Sequence, residues 1–181
     1  MEHIEYEERV LISQIDYEKI VADFKDTKNT KRYIHIENIY LDTDDMFITN
    51  RKMMLRIRNI NNKEQELTLK FRNKDNSTVE INETQTCHPL IDENLPISFD
   101  KCHPIVNLIT ERIEIEFDNY LLVIDKNEYC GKIDYNIEIE SSSQALSKKI
   151  ILEYCKKYHL TYDPHYITKN YRVFNELKRS H

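Results

Sequence analysis

Apolar and charged residues alternate with a period of two in segment after segment of this chain, the pattern of β-strands that bury one face. In residues 4–10, Glu5, Glu7 and Arg9 fall on one side and Ile4, Tyr6 and Val10 on the other. Residues 53–58 set Arg56 and Arg58 opposite Leu55 and Ile57. Residues 66–72 set Thr68, Lys70 and Arg72 opposite Leu67, Leu69 and Phe71, and residues 78–82 set Glu80 and Asn82 opposite Val79 and Ile81. Later, Arg112, Glu114 and Glu116 oppose Ile113, Ile115 and Phe117, residues 120–125 end on Asp125, and Asp134, Asn136, Glu138 and Glu140 oppose Ile133, Tyr135, Ile137 and Ile139. Residues 36–42 make an eighth candidate. Helical spacing is confined to 17–24, 147–159 and 168–177, with Ser147 the expected N-cap of the second, because its hydroxyl can accept from a first-turn amide. Residues 59–64 and 73–77 read as polar hairpin turns, and 87–104, with all but one of the four prolines, as an irregular excursion.

A sheet with one polar face usually shows that face to water. Here acids cluster at alternate positions of some strands and arginines at others, in strand after strand. The expected fold is therefore α+β: an antiparallel eight-stranded β-barrel whose interior carries the charges, with the aliphatic faces outside under packed helices. Lining a cavity with both signs makes sense where an anionic ligand and cations complete the charge balance.

Composition narrows the function. With 181 residues the expectation is one domain, 1–181, and 32% charged against 40% hydrophobic residues argues against disorder. No apolar run reaches the roughly 18 residues of a membrane span, so no membrane partner is expected. Lys plus Arg number 26 against 32 Asp plus Glu, a net charge of −6 that disfavours a broad basic face, so no nucleic-acid partner is expected either. The acidic opening stretch lacks the pattern of an export signal, and the four cysteines form no Cys-x-x-Cys, so a cytoplasmic location with reduced thiols is expected. Gly131 is the one glycine, which excludes the Gly-rich phosphate loop and the dinucleotide fingerprint. If this protein binds phosphates, side chains must do it.

Glu5-x-Glu7-x-Arg9 resembles the ExExK signature of the CYTH superfamily, the triphosphate tunnel metalloenzymes. Asn38-x-Tyr40-Leu41-Asp42-Thr43 is similar to the family's second strand, Leu55-Arg56-Ile57-Arg58 to its Arg-x-Arg strand and Leu67-Thr68-Leu69-Lys70 to its lysine strand. Arg112, Asp125, Gly131, the acidic strand 134–140 and Lys169 in a terminal helix follow in the family's order. Two positions depart from it: the motif lysine is Arg9, and the first position of the late acidic strand, often glutamate in relatives, is Asn136.

The resemblance implies a triphosphate tunnel that uses Mg²⁺ or Mn²⁺. Carboxylates are hard oxygen ligands for such ions, and arginine matches phosphate oxygens with a planar fork. The expected metal ligands are Glu5, Glu7, Glu80, Asp125, Glu138 and Glu140. The expected triphosphate contacts are Arg9, Arg56, Arg58, Lys70, Arg72, Arg112 and Lys169, with Glu5, Glu7 and Lys169 catalytic. The partner is a triphosphate-containing small molecule: tripolyphosphate, favoured because no adenine or thiamine pocket is legible, or else ATP or thiamine triphosphate. The resemblance equally admits thiamine triphosphatase and class IV adenylyl cyclase, while Arg9 and Asn136 keep a non-catalytic polyphosphate or nucleotide sensor in view. A homodimer is left open.

Arg172 is expected more as solvated helix face than as ligand contact. Cys87-His88-Pro89 and Cys102-His103-Pro104 are read as loop covering one barrel end rather than as zinc ligands, since adjacent residues seldom turn both side chains to one ion. Most of the twelve tyrosines are read as packing, with Tyr40 the one whose polar end could reach the tunnel.

Overall fold

The computed structural model describes residues 6–72, 78–84 and 88–180. Eight antiparallel strands form: β1 (Tyr6–Ile12), β2 (Lys31–Asp42), β3 (Met54–Ile60), β4 (Glu64–Arg72), β5 (Thr78–Glu83), β6 (His103–Glu116), β7 (Tyr120–Tyr129) and β8 (Lys132–Ser141). Their order in the sheet is β1-β8-β7-β6-β2-β3-β4-β5. Each segment read as a strand from its alternation is one. The positions Ile4 and Glu5 of the first segment, and the turn at 73–77, lie outside the described residues.

Two hairpins show why their turns sit where they do. Asn61 and Asn62, both at positive φ, close β3 on β4, and Cys130 and Gly131, both at positive φ, close β7 on β8. Paired positive-φ residues give the turn whose twist matches that of the flanking strands, and asparagine and glycine reach that region at least cost.

The chain forms two compact units, residues Met1–Ile34 with Thr110–Glu176, and His35–Ile109 with Leu177–His181. In the first, helices α1 (Gln14–Asp23) and α4 (Gln144–Tyr158) contribute Ile20, Ile150, Ile151, Tyr154 and Tyr158 to a core that they share with Ile113, Ile115, Leu122, Ile124, Ile137 and Ile139 of the strands. In the second, Leu41, Leu55, Leu67 and Leu69 are covered by Ile48 of α2 (Phe47–Asn50) and by Ile91 of α3 (Pro89–Asn94) with Leu95 after it. Aliphatic strand faces thus lie under helices in both units, as the alternation implies. Much of the opposite faces is withdrawn from water as well: Arg56, Thr68, Asp125, Asn127, Asn136 and Glu138 are all buried.

Three local readings change. The expected excursion at 87–104 is structured in part, containing α3 and a short 3₁₀ turn at Phe99–Lys101, and Ile91 and Leu95 reach the core. The four-residue α2 has no alternation to announce it. Its N-terminal amides are satisfied by the fully buried Asp42, whose carboxylate accepts from Thr43, Ile48 and Thr49 N–H at 2.8 Å each. Finally, α4 begins one turn earlier than expected. Ser143 is its N-cap, accepting from Leu146 N, whereas Ser147 lies inside the helix with its hydroxyl donating to the Tyr6 carbonyl of β1 at 2.7 Å. The buried hydroxyls of Ser141 and Ser147 are also 2.7 Å apart.

Ser147 therefore pins α4 to the edge strand β1. Ser147→Ala removes the donor from the Tyr6 carbonyl at a partly buried contact and is expected to cost about 1 kcal/mol, read from the midpoint of urea unfolding. A loss below a few tenths of a kcal/mol would remove that role.

Candidate active site

The first unit gathers most of the chemistry. Register places Glu7 of β1 opposite Glu140 of β8, and Arg9 opposite Glu138. Within β7 and β8, Val123 faces Glu138 and Asp125 faces Asn136. Side chains two apart on a strand share a face, so one surface carries Glu7, Arg9, Glu138, Glu140, Asn136 and Asp125. Glu7, Glu138 and Glu140 each present an oxygen within 4.8 Å of the others, the one such group of three among the described residues. Arg9 ion-pairs with Glu7 and brings its Nε to 3.2 Å from Glu138 Oε1. That second contact is out of line, because the buried Arg9 Nε–H makes no hydrogen bond. Burial alone would lower the Arg9 pKa, but Glu138 and Glu7 outweigh it and raise it.

Asp125 is the centre of a second, tighter arrangement. Arg112 of β6 donates to both its oxygens, from Nε and Nη2, at 2.9 Å each. Lys169, the first residue of α5 (Lys169–Ser180), donates from Nζ at 2.7 Å. Arg112 Nη2 also reaches Glu138 Oε2 at 3.4 Å. Burial on its own would push the Asp125 carboxyl up, yet the charges of Lys169 and Arg112 prevail and hold it down at about 2. Asp125 is thus engaged by cations on both oxygens, and Lys169 and Arg112 stand in one cluster with the carboxylates.

Asn136 fits where a carboxylate would crowd. Its Nδ2 donates to Glu138 Oε1 at 3.2 Å and Asp125 Oδ2 at 3.4 Å, and its Oδ1 accepts from Asn127 Nδ2 at 2.8 Å. A glutamate there would add an acceptor against two others.

The second unit holds the remaining predicted cations. Arg56 is only 7% exposed, and its Nε–H has no hydrogen-bond partner; its Nη2 is 3.6 Å from Glu80. Lys70 pairs with Glu80 at 2.8 Å, and Arg58 donates to Asn38 at 3.3 Å. Burial raises the Glu80 carboxyl, but Lys70, Arg56 and Arg58 together lower it. Glu80 therefore sits among cations and outside the three-carboxylate group. Arg72 is exposed, Tyr40 is fully buried opposite Arg56 in the register, and Glu5 lies outside the described residues.

Sequence reasoning missed a supporting layer. Arg172, expected to be solvated, donates to Asp134 at 2.8 and 3.1 Å and to the Tyr166 hydroxyl. The Tyr166 ring lies 5.4 Å from Arg172 Cζ and 5.9 Å from Arg9 Cζ, and its hydroxyl is pushed up to about 12, chiefly by burial. Tyr166 lies in an irregular stretch with no periodicity to single it out.

Hard carboxylate oxygens from Glu7, Glu138 and Glu140 suit Mg²⁺ or Mn²⁺, and the unpartnered N–H groups of Arg9 and Arg56 suit an anion. The fold and this charged sheet face define the class: residues 3–165 match the family model of the CYTH domain, and the chain belongs to that family. Bacillus subtilis (strain 168) YjbK, which carries a provisional triphosphatase name, is 26% identical over 197 residues, covering 99% of this chain and 98% of YjbK. A Bacillus halodurans protein provisionally named an adenylate cyclase shares the fold with a TM-score of 0.76 and 23% identity, over 95% of this chain and 98% of its own. HpAC1 from Hippeastrum, a provisional adenylyl cyclase described as revealing a dominant triphosphatase activity, shares it with a TM-score of 0.73 and 16% identity, over 97% and 95%.

The low pKa of Asp125 fixes a sign for pH dependence. A carboxyl held below its ordinary value adds stability above that value and loses it as pH falls, here between about 4 and about 2. Asp125→Asn is expected to lose about 3 kcal/mol or more at neutral pH, because Arg112 and Lys169 keep buried charges without their counter-ion, and to lose less further stability below pH ~4 than the wild type. Urea unfolding from pH 7 to 3 reads both; parallel curves would show that Asp125 is not the titrating group.

Proposed function

We propose that this protein is a divalent-metal-dependent triphosphatase that hydrolyses inorganic tripolyphosphate. The observation that carries this reading is the convergence of Glu7, Glu138 and Glu140 in contact with Arg9 and Arg112 on one face. Three carboxylates held that close repel one another unless cations complete the site, and the flanking guanidinium groups then recruit the anion. The provisional name of YjbK and the triphosphatase activity described for HpAC1 support the reaction class without specifying a substrate.

Held by these oxygens, Mg²⁺ or Mn²⁺ supplies Lewis acidity toward phosphoryl oxygen and a lower pKa for bound water. The chain's own side chains do the rest. Glu7, with Glu138, Glu140 and the sequence-assigned Glu5, fixes the charge that orients the terminal phosphoryl group. Arg9, Arg112 and Lys169 neutralise the triphosphate oxygens, the role that the sequence resemblance also assigns to Arg56, Arg58, Lys70 and Arg72. The unpartnered Nε–H of buried Arg56 supports that role, since a buried donor without an acceptor is costly until an anion arrives. Lys169 is placed to offset charge on the departing diphosphate. Tripolyphosphate is favoured because it is the substrate that needs only the charges these side chains carry.

The experiment is a matrix of Mg²⁺ and Mn²⁺ against tripolyphosphate, ATP and thiamine triphosphate, reading phosphate release and product identity. Tripolyphosphate hydrolysis is expected to dominate, and Glu7→Gln and Glu138→Gln are each expected to lower it about 100-fold or more with the circular dichroism spectrum unchanged. Pyrophosphate with a cyclic nucleotide from ATP would make the protein a cyclase. Tight polyphosphate binding with no release from any substrate would make it a sensor.

A further inference from the structure

We propose that Arg9 is the resting counter-cation of the Glu7–Glu138–Glu140 group and is exchanged for the divalent ion, so that metal and triphosphate load together. The proposal rests on the metal reading above and adds to it what the ion must displace.

The two guanidinium groups on Glu138 are held very differently. Arg112 is fixed by two 2.9 Å hydrogen bonds to Asp125, a fully buried anion with its own second cation, and so stays when the site fills. Arg9 has an ion pair to Glu7, which is half exposed at 42% of its side chain, and a misaligned approach to Glu138 that leaves a buried N–H unsatisfied. Leaving that seat forfeits no good hydrogen bond to Glu138. Arg9 nevertheless lies against two of the three carboxylates that a divalent ion needs, and a dication entering beside it meets a like charge within a few ångströms of low-dielectric surroundings.

What favours departure is the anion. A guanidinium fork matches a phosphoryl group in two parallel N–H···O bonds, better than the contact Arg9 has with Glu138. The Tyr166 ring, locked by Arg172 on Asp134, keeps a polarisable face 5.9 Å from the Arg9 guanidinium carbon. Displacement by metal thus frees a phosphate ligand, and capture by phosphate frees metal ligands. By linkage each makes the other bind more tightly.

The test is calorimetric titration of Mn²⁺ into the protein with no polyphosphate present, so activity is not the readout. Arg9→Met and the second neutral variant Arg9→Gln are expected to bind Mn²⁺ at least about tenfold more tightly than the wild type, while Arg9→Lys, which keeps the charge, stays close to it. Arg9→Met should also bind tripolyphosphate more weakly, a change of opposite sign that a general loosening of the site does not produce. Equal Mn²⁺ affinity in folded wild type and both neutral variants overturns the exchange and leaves the metal site standing. A gain that disappears in about 0.5 M KCl reports only the net field at the surface and also overturns it. Absence of Mn²⁺ binding in every form, wild type included, removes the metal reading itself and the exchange with it.

Discussion

A carboxylate with no exposure to solvent must be either protonated or paired, and Asp125 is paired twice, by Arg112 on β6 and Lys169 at the start of α5. Together the two cations outweigh burial and keep the group ionised. Much of the first unit follows from that choice. Arg112 is immobilised and can reach Glu138, the N-terminal end of α5 is tied to β7, and Asn136 can serve as donor to two ionised neighbours at once. Arg172, one turn along α5, repeats the device on Asp134. The C-terminal helix is therefore held by charge at two points, and Val173 alone among its residues is fully buried.

The polar face can be this elaborate because the other face supplies the cohesion. Isoleucines of β6, β7 and β8 are sealed by α1 and α4, and leucines of β2, β3 and β4 by α2 and α3. Apolar burial at roughly 25 cal/mol per Å² is indifferent to which residues stand on the reverse side of the strand. Alternation thus separates two tasks along one backbone: one set of alternate positions in a strand holds the fold and the other holds charge.

That separation is also why so much was legible in the sequence. Period two shows only where one face differs sharply from the other, and here most strands set aliphatic residues against charged or amide side chains. All eight strands and three of the helices follow from it. The short helices do not, because four or six residues give too few turns for periodicity, and α2 depends on Asp42, a residue distant by five positions in sequence from the helix it steadies. Ser147 has the chemistry of a cap and sits in a helix interior, since Ser143 has the same chemistry one turn earlier and composition cannot rank them. Among the expected site residues, those on strands were named from the alternation and from the CYTH resemblance, whereas Tyr166 and the pairing of Arg172 depend on where an irregular segment returns to the sheet.

The same reasoning accounts for the substitution at Asn136. On a face already carrying Asp125, Asp134, Glu138 and Glu140, another carboxylate would need its own buried cation, and the nearby cations are engaged: Arg112 and Lys169 on Asp125, Arg172 on Asp134. An amide of the same shape as aspartate needs no counter-ion. It donates to Asp125 and Glu138 and accepts from Asn127, which in turn accepts from Thr110 and donates to Asp134. Neutral groups thereby link the Asp125 cluster to the Asp134 cluster without adding charge to either. The three-carboxylate group beside them keeps its negative excess, with Arg9 as the less firmly held of the two guanidinium groups on Glu138, and that excess is what the proposed divalent cation would balance.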